Sequence, residues 1–309
     1  YYGLGVPLRL DPRVNPTMSD IHFKQNAHAN GIDIIGGSYQ TNLRLDITGM
    51  PYVLRKDLTV GNGTSLTIAP GVIVKLANEI DILIYGAMIA KGTATSPITF
   101  TSIKDDAVDG VDSSNDGNVL PQKGSWGGIE LNDSVNDQNT QLIHVRIKYG
   151  GNGYYSLGRP LYLDARAKPS FQSVEFVTGT NYPQDAVELM GGTYKSNIVL
   201  DHPYLPYVLR KDLTVVAGAT LTISPGVVIK MADEIDITVE GGLVANGTAT
   251  KRIVLTSVAD DSIAGDTEGN ASIAPKSGSW GGLDIQYATA SRTLELRYMD
   301  FRYGGNGYY

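Results

Sequence analysis

The chain has 309 residues, 42% of them hydrophobic and 18% charged, which is ample for a buried core. A net charge of −7, with no basic face interleaved with aromatics, argues against nucleic acid as a partner. The absence of cysteine excludes disulfides, thiolate metal sites and a cysteine nucleophile, and no apolar run reaches the roughly 18 residues that a membrane-spanning helix needs.

The opening segment, YYGLGVPLRL, lacks the basic and apolar regions of a signal peptide. From there the apolar residues alternate in short runs. Leu66 and Ile68 come first, then Val72, Val74 and Leu76, then Ile80, Ile82 and Ile84, and then Ile98 and Phe100. Period-two alternation predicts strands with one row inside and the other in solvent. It places Lys75, Asp81, Thr99 and Thr101 on the solvent row, and Lys75 and Lys230 read as solubilising, edge-protecting charges. Pro70-Gly71, Gly61-Asn62-Gly63 and Gly92-Thr93 separate the runs and predict turns. No segment carries a capped apolar stripe of helical period.

The chain is written almost twice. PYVLRKDLTV occupies 51–60 and 206–215, GSWGG occupies 124–128 and 278–282, and YGGNGYY occupies 149–155 and 303–309. Residues 1–153 form one copy and 154–307 the next, while 308–309 begin a third, as expected of a piece of a longer array. Repetition of this kind predicts a stacked architecture with a shared core. A sandwich used twice would need a linker, yet YGGNGYYSLGRP (149–160) leads straight into the alternation of Leu161 and Leu163. The expectation is a parallel β-helix in one continuous solenoid, with coils of about 20–25 residues and about six or seven coils per copy.

The order GAMIAKGTATSPITFTS (86–102), acidic loop, SWGGIEL (125–131), LIHVRIKYGG (142–151) recurs in the second copy. It resembles the right-handed parallel β-helix repeat proteins of bacterial and archaeal cell surfaces. The resemblance implies an all-β, right-handed parallel β-helix (β-solenoid) made of two tandem copies of ~154 residues. It leaves function open among adhesins, fibre shafts and carbohydrate enzymes.

The loop between Ser102 and Ser125 is too long for a turn. Asp112, Ser114 and Asp116 stand at alternate positions, the spacing with which a short loop wraps Ca²⁺. Asp266, Glu268 and Asn270 stand at the matching places, and Asp105-Asp106 and Asp260-Asp261 lie just upstream. The competing reading is a solvated acidic excursion. The tyrosine clusters, with Tyr154, Tyr155, Tyr308 and Tyr309, offer either a binding or interface platform or ring packing at a turn. Trp126 and Trp280, each before Gly-Gly, read as anchors for the loop's return. Arg55-Lys56-Asp57 and its copy read as a salt-bridged row or as the basic cluster of a polysaccharide lyase. The four histidines, His22, His28, His144 and His202, do not pair between copies, and no nucleophile-triad, phosphate-loop or metalloprotease motif occurs.

The sequence therefore predicts a structural segment of an extracellular or cell-surface β-helical fibre, filament or adhesin stalk. It would have no catalytic residues and no required cofactor beyond the candidate Ca²⁺, with further copies of itself along the fibre axis and surface polysaccharide as candidate partners. The alternative is a carbohydrate-binding or polysaccharide-degrading β-helix protein.

Overall fold

The computed structural model describes residues 6–18, 21–23, 26, 30–117, 119–132, 139–152, 159–177, 186–268, 273–287 and 291–306. Among these the regular structure is β strand, apart from one 3-10 turn at Asp106–Val108. No described helix is long and apolar enough to cross a membrane. The chain divides into two compact units, Tyr1–Leu161 with Pro169–Asp185, and Tyr162–Lys168 with Ala186–Tyr309.

In the first unit each coil contributes one strand to each of three faces. The first face carries Ile32–Ile34, Tyr52–Leu54, Ile73–Leu76 and Ile98–Ser102. The second carries Gly37–Tyr39, Leu58–Val60, Ile82–Ile84 and Ile129–Leu131. The third carries Leu43–Leu45, Ser65–Ile68 and Ala87–Lys91. The pairing is parallel on all three. Ile32 lies beside Tyr52, Tyr52 beside Val74 and Val74 beside Phe100, so a coil takes 20 to 26 residues. Phe100 then lies beside Ile147, because the acidic excursion is inserted within that one coil.

The second unit repeats the steps. Val187 pairs with Tyr207, Tyr207 with Ile229 and Ile229 with Leu255, again 20 to 26 residues apart, and Leu255 then reaches Phe301. Stacking in register buries each inward row: Leu54, Leu76, Val60, Ile84, Leu66 and Met88 are all buried in the first unit. Each residue so covered removes apolar surface from water at about 25 cal/mol per Å².

The strands Gln141–Ile147 and Ser170–Phe176 each serve two faces, turning at His144 (φ 47°) and Ser173 (φ 51°). Tyr298 (φ 49°) makes the same corner in the second unit. A left-handed backbone brings the corner carbonyl inward, and a Cβ on Gly92 would lie 2.5 Å from the His144 oxygen. The Gly-Thr turn read at 92–93 thus needs glycine for a close approach.

The solvent row departs from expectation. Lys75, Lys230, Asp81, Thr99 and Thr101 are all buried. Alternation assigns them correctly to the row facing away from the core. However, the excursion folds back over the first face and shields Lys75 and Thr101 from water. Asp81 is enclosed for another reason. Its Oδ1 accepts from the Gly128 backbone N–H (2.7 Å), and its own N–H donates to Asp57 Oδ1 (2.9 Å). A Cβ on Gly127 would sit 1.9 Å from that Asp81 oxygen, so the Gly-Gly after Trp126 makes room for the carboxylate.

Candidate functional site: a roofed face and its acidic excursion

Along the outward side of the first face the register runs Asp33, Val53, Lys75, Thr101, and all four are buried. Each polar member is tied to a residue that covers it. Lys75 Nζ donates to Asp109 Oδ1 (2.8 Å) and to the Val111 carbonyl (2.7 Å). Thr101 Oγ1 donates to Asp105 Oδ2 (2.7 Å), which also takes a bond from Lys148 Nζ (2.7 Å). Arg55 pairs with Asp33 (3.2 Å) and donates to the Ser113 carbonyl (2.8 Å). Asn30 donates to the Asp112 carbonyl (3.1 Å). The excursion is therefore a roof attached coil by coil, with its acids set against the cations of the face beneath. Removing either partner of such a buried pair leaves an uncompensated charge.

Within the roof, carboxylate oxygens of Asp106, Asp112 and Asp116 lie within 4.8 Å of one another. Asp112 organises its own turn, accepting from Asn115 N–H (2.6 Å), Gly117 N–H (3.2 Å) and Ser114 Oγ (3.3 Å). One buried oxygen each of Asp106 and Asp116 has no hydrogen-bond partner. Burial, then the neighbouring Asp112, pushes the Asp106 carboxyl up to about 6, against the opposing pull of Lys75. Burial also raises Asp109, with Lys75 opposing it. Three converging carboxylates at one edge form a hard oxygen donor set of the kind that suits Ca²⁺.

The structure thus brings Asp112 and Asp116 together, as the spacing predicts, but the third member is Asp106. Ser114 serves Asp112 as a donor. The 3-10 turn after Asp105 folds Asp106 toward the later acids, a contact that linear spacing does not encode.

In the second unit the equivalent column runs Glu188, Val208, Lys230, Thr256, but its roof differs. Glu268 is engaged by Arg210, which also pairs with Glu188 (3.4 Å). Asp266 Oδ1 accepts from Glu268 N–H (2.9 Å), and Asn270 lies outside the described residues. Lys230 donates to the Gly265 carbonyl, where Lys75 has a carboxylate as well. Burial lowers the Lys230 amine, offset by the acids around it, of which Asp261 is the strongest.

Trp126 and Trp280 are buried, and their indole N–H groups donate to the carbonyls of Lys148 (2.6 Å) and Arg302 (2.7 Å). They anchor the end of each excursion against Gly150 and Gly304, where a Cβ would lie 2.9 and 2.8 Å from the indole. Lys148 stands over the Tyr149 ring (5.2 Å) and Arg302 over Tyr303 (5.5 Å), so these two tyrosines are engaged within the fold. Tyr154, Tyr155, Tyr308 and Tyr309 lie outside the described residues.

Residues 192–306 match the pectate-lyase-like β-helix domain. Together with stacked parallel strands on three faces, the match decides the class. This is a parallel β-helix repeat protein. A stretch of 94 residues is 37% identical to "Protein bark beetle" of Drosophila melanogaster, covering 30% of this β-helix chain and 3% of that protein. No solved structure matches the chain.

Proposed function

We propose that this β-helix is a structural segment of an extracellular fibre, filament or adhesin stalk, without catalytic residues, with further copies of itself along the fibre axis as its partners. One observation carries the reading. The charged side chains that could do chemistry are engaged in holding the roof to the coils: Arg55, Lys75 and Lys148 each have an acidic partner. A comparable column of acid, valine, lysine and threonine is buried in the second unit. An enzyme needs one site, whereas a shaft needs the same coil many times. The Asp106, Asp112 and Asp116 cluster takes Ca²⁺ as a brace for the roof. The test is incubation with pectin-like and other acidic polysaccharides, followed by analysis for unsaturated products. No release is expected, and sustained release of unsaturated oligosaccharides overturns the reading.

A carbohydrate-directed function is favoured by one feature. A hollow of about 280 Å³ is lined by Arg9, Asp33, Ile35, Arg55 and Lys56, a cationic surface suited to a carboxylated sugar. Titration with oligogalacturonate separates the two readings. Saturable binding lost in Lys56→Ala supports a carbohydrate role, and absence of binding removes it.

A further inference from the structure

The corner that takes the chain from the second face to the third, between Leu58–Val60 and Ser65–Ile68, reads Gly61-Asn62-Gly63-Thr64. An asparagine two residues before a threonine, with no proline between them, is the acceptor triplet for an N-linked oligosaccharide. The fold holds this triplet as a solvated turn. Thr64 N–H donates to the Gly61 carbonyl (3.2 Å), which also accepts from Thr64 Oγ1 (2.6 Å). Asn62 and Gly63 are exposed, and a Cβ on Gly63 would meet nothing within 4 Å. The Asn62 side chain has no hydrogen-bond partner among the described residues.

A free amide sets Asn62 apart from the other asparagines that resemble it. At corners of the same kind, Asn42 Oδ1 accepts from the Ser65 N–H (3.0 Å) and Asn197 Oδ1 from the Thr220 N–H (2.9 Å). Asn246-Gly247-Thr248 and Asn132-Asp133-Ser134 are also triplets. However, Asn246 Nδ2 donates to Glu295 Oε2 (2.5 Å) and Asn132 Nδ2 to Glu130 Oε1 (2.5 Å). In both, the nitrogen that would carry a sugar is already engaged. Gly247 is crowded as well, since a Cβ on it would lie 2.5 Å from the Tyr298 carbonyl oxygen. A fourth triplet, Asn270-Ala271-Ser272, lies outside the described residues.

The two copies differ at this corner. After the unchanged decapeptide ending at Val60 and Val215, the second copy reads Val216-Ala217-Gly218-Ala219. Both residues that the triplet needs are replaced, while the glycine keeps its positive φ, 75° at Gly63 and 91° at Gly218. The turn therefore forms without the side chains of Asn62 and Thr64, and packing gives no reason for the pair.

We propose that Asn62 is an N-glycosylation site. The donor is an oligosaccharide carried on a polyprenyl pyrophosphate, and the partner is an oligosaccharyltransferase. Asn62 Nδ2 forms a bond to C1 of the first sugar and loses one proton. The C1–O bond breaks, and its electron pair leaves on the pyrophosphate. The chain meets that donor on its way out of the cell, so the site rests on the extracellular reading above.

Secretion of the full chain from insect cells behind a signal peptide, followed by peptide mapping with and without peptide N-glycosidase, tests the site. The Asn62 peptide is expected to carry a glycan. That glycan should be lost completely in Asn62→Gln, and in Asn62→Ala with Thr64→Ala, which reproduces the turn of the second copy. Thr64→Ala alone should lose it too. After glycosidase treatment the thermal midpoints of parent and variants should coincide, because the altered side chains are in an outer turn. A secreted parent that is unmodified at Asn62, or a glycan on Asn62 that survives Thr64→Ala, overturns the proposal. Either result leaves the structural reading standing, since that falls only with polysaccharide cleavage.

Discussion

Asp81→Asn is expected to stabilise the protein above neutral pH and leave it unchanged in acid. Asp81 is fully buried, and burial is the main reason its carboxyl is pushed up to about 7, with Asp57 and Glu130 adding to the rise and the Gly128 N–H opposing it. A carboxyl raised in the folded state favours its protonated form there. Its contribution is therefore most favourable below the ordinary carboxylate range, declines as pH rises, and levels off above about 7. Moving the group from 3.8 to about 7 is worth at most about 4 kcal/mol, and about 1–3 kcal/mol after local relaxation. Asparagine keeps the Oδ1 that accepts from Gly128 and carries no charge. The variant should match the parent near pH 4, gain on it through pH 7 and keep a constant lead above. Urea unfolding at four pH values measures the gap. Parallel profiles for parent and variant would refute the argument, since they would mean that the carboxylate is ionised without penalty. Asp81→Ala is the control. It strands the Gly128 N–H and should cost about 1–3 kcal/mol even in acid.

Three further outcomes follow from the roof and its anchors. Lys75→Met should cost about 3 kcal/mol by leaving Asp109 buried without its cation, and Lys75→Met with Asp109→Asn should recover most of it. Urea midpoints of the single and double variants decide, and a single variant costing nothing would contradict the pairing. Trp126→Phe should lose about 1 kcal/mol with the bond to the Lys148 carbonyl, and Trp126→Ala about 3–5 kcal/mol with its packing. Equal thermal midpoints for the two would show that the indole is not an anchor. Excess Ca²⁺ should raise the thermal midpoint over that in chelator by several degrees, about 2.7 kcal/mol at one hundred times the dissociation constant. The gain should vanish in Asp116→Asn, survive in Asp266→Asn, and weaken below about pH 6, where protons compete for Asp106. A gain that persists in Asp116→Asn would place the ion elsewhere.

The coil was legible in the sequence because inward burial is a local, period-two property. Leu66, Ile68, Val74, Leu76, Ile82 and Ile84 each declare their side through their immediate neighbours, and each is buried. The outward row was not legible for the converse reason. Lys75 between Val74 and Leu76 reads like any solvated lysine, because what covers it arrives from Asp109 and Val111, 34 and 36 residues later. The same holds for the acids. Alternate spacing brought Asp112 and Asp116 into view and left Asp106 out, since a 3-10 turn and not a linear interval returns it to them.

Two signals of the roof were nevertheless present in the chain. A long acidic insertion beside a strand bearing a lysine between two core residues has a partner to hand, and burying both charges together costs less than burying either alone. A Gly-Gly directly after a tryptophan marks a crowded backbone. At Gly127 the crowding atom is a carboxylate oxygen of Asp81, and at Gly281 it is the equivalent oxygen of Asp236, 2.0 Å from where a Cβ would stand. The glycines therefore reported a carboxylate packed against the backbone some 45 residues upstream of each, buried at Asp81 and half-buried at Asp236. Taken as a demand for space rather than as a turn, the Gly-Gly pair marks Asp81 as an outward-row residue that the neighbouring backbone encloses.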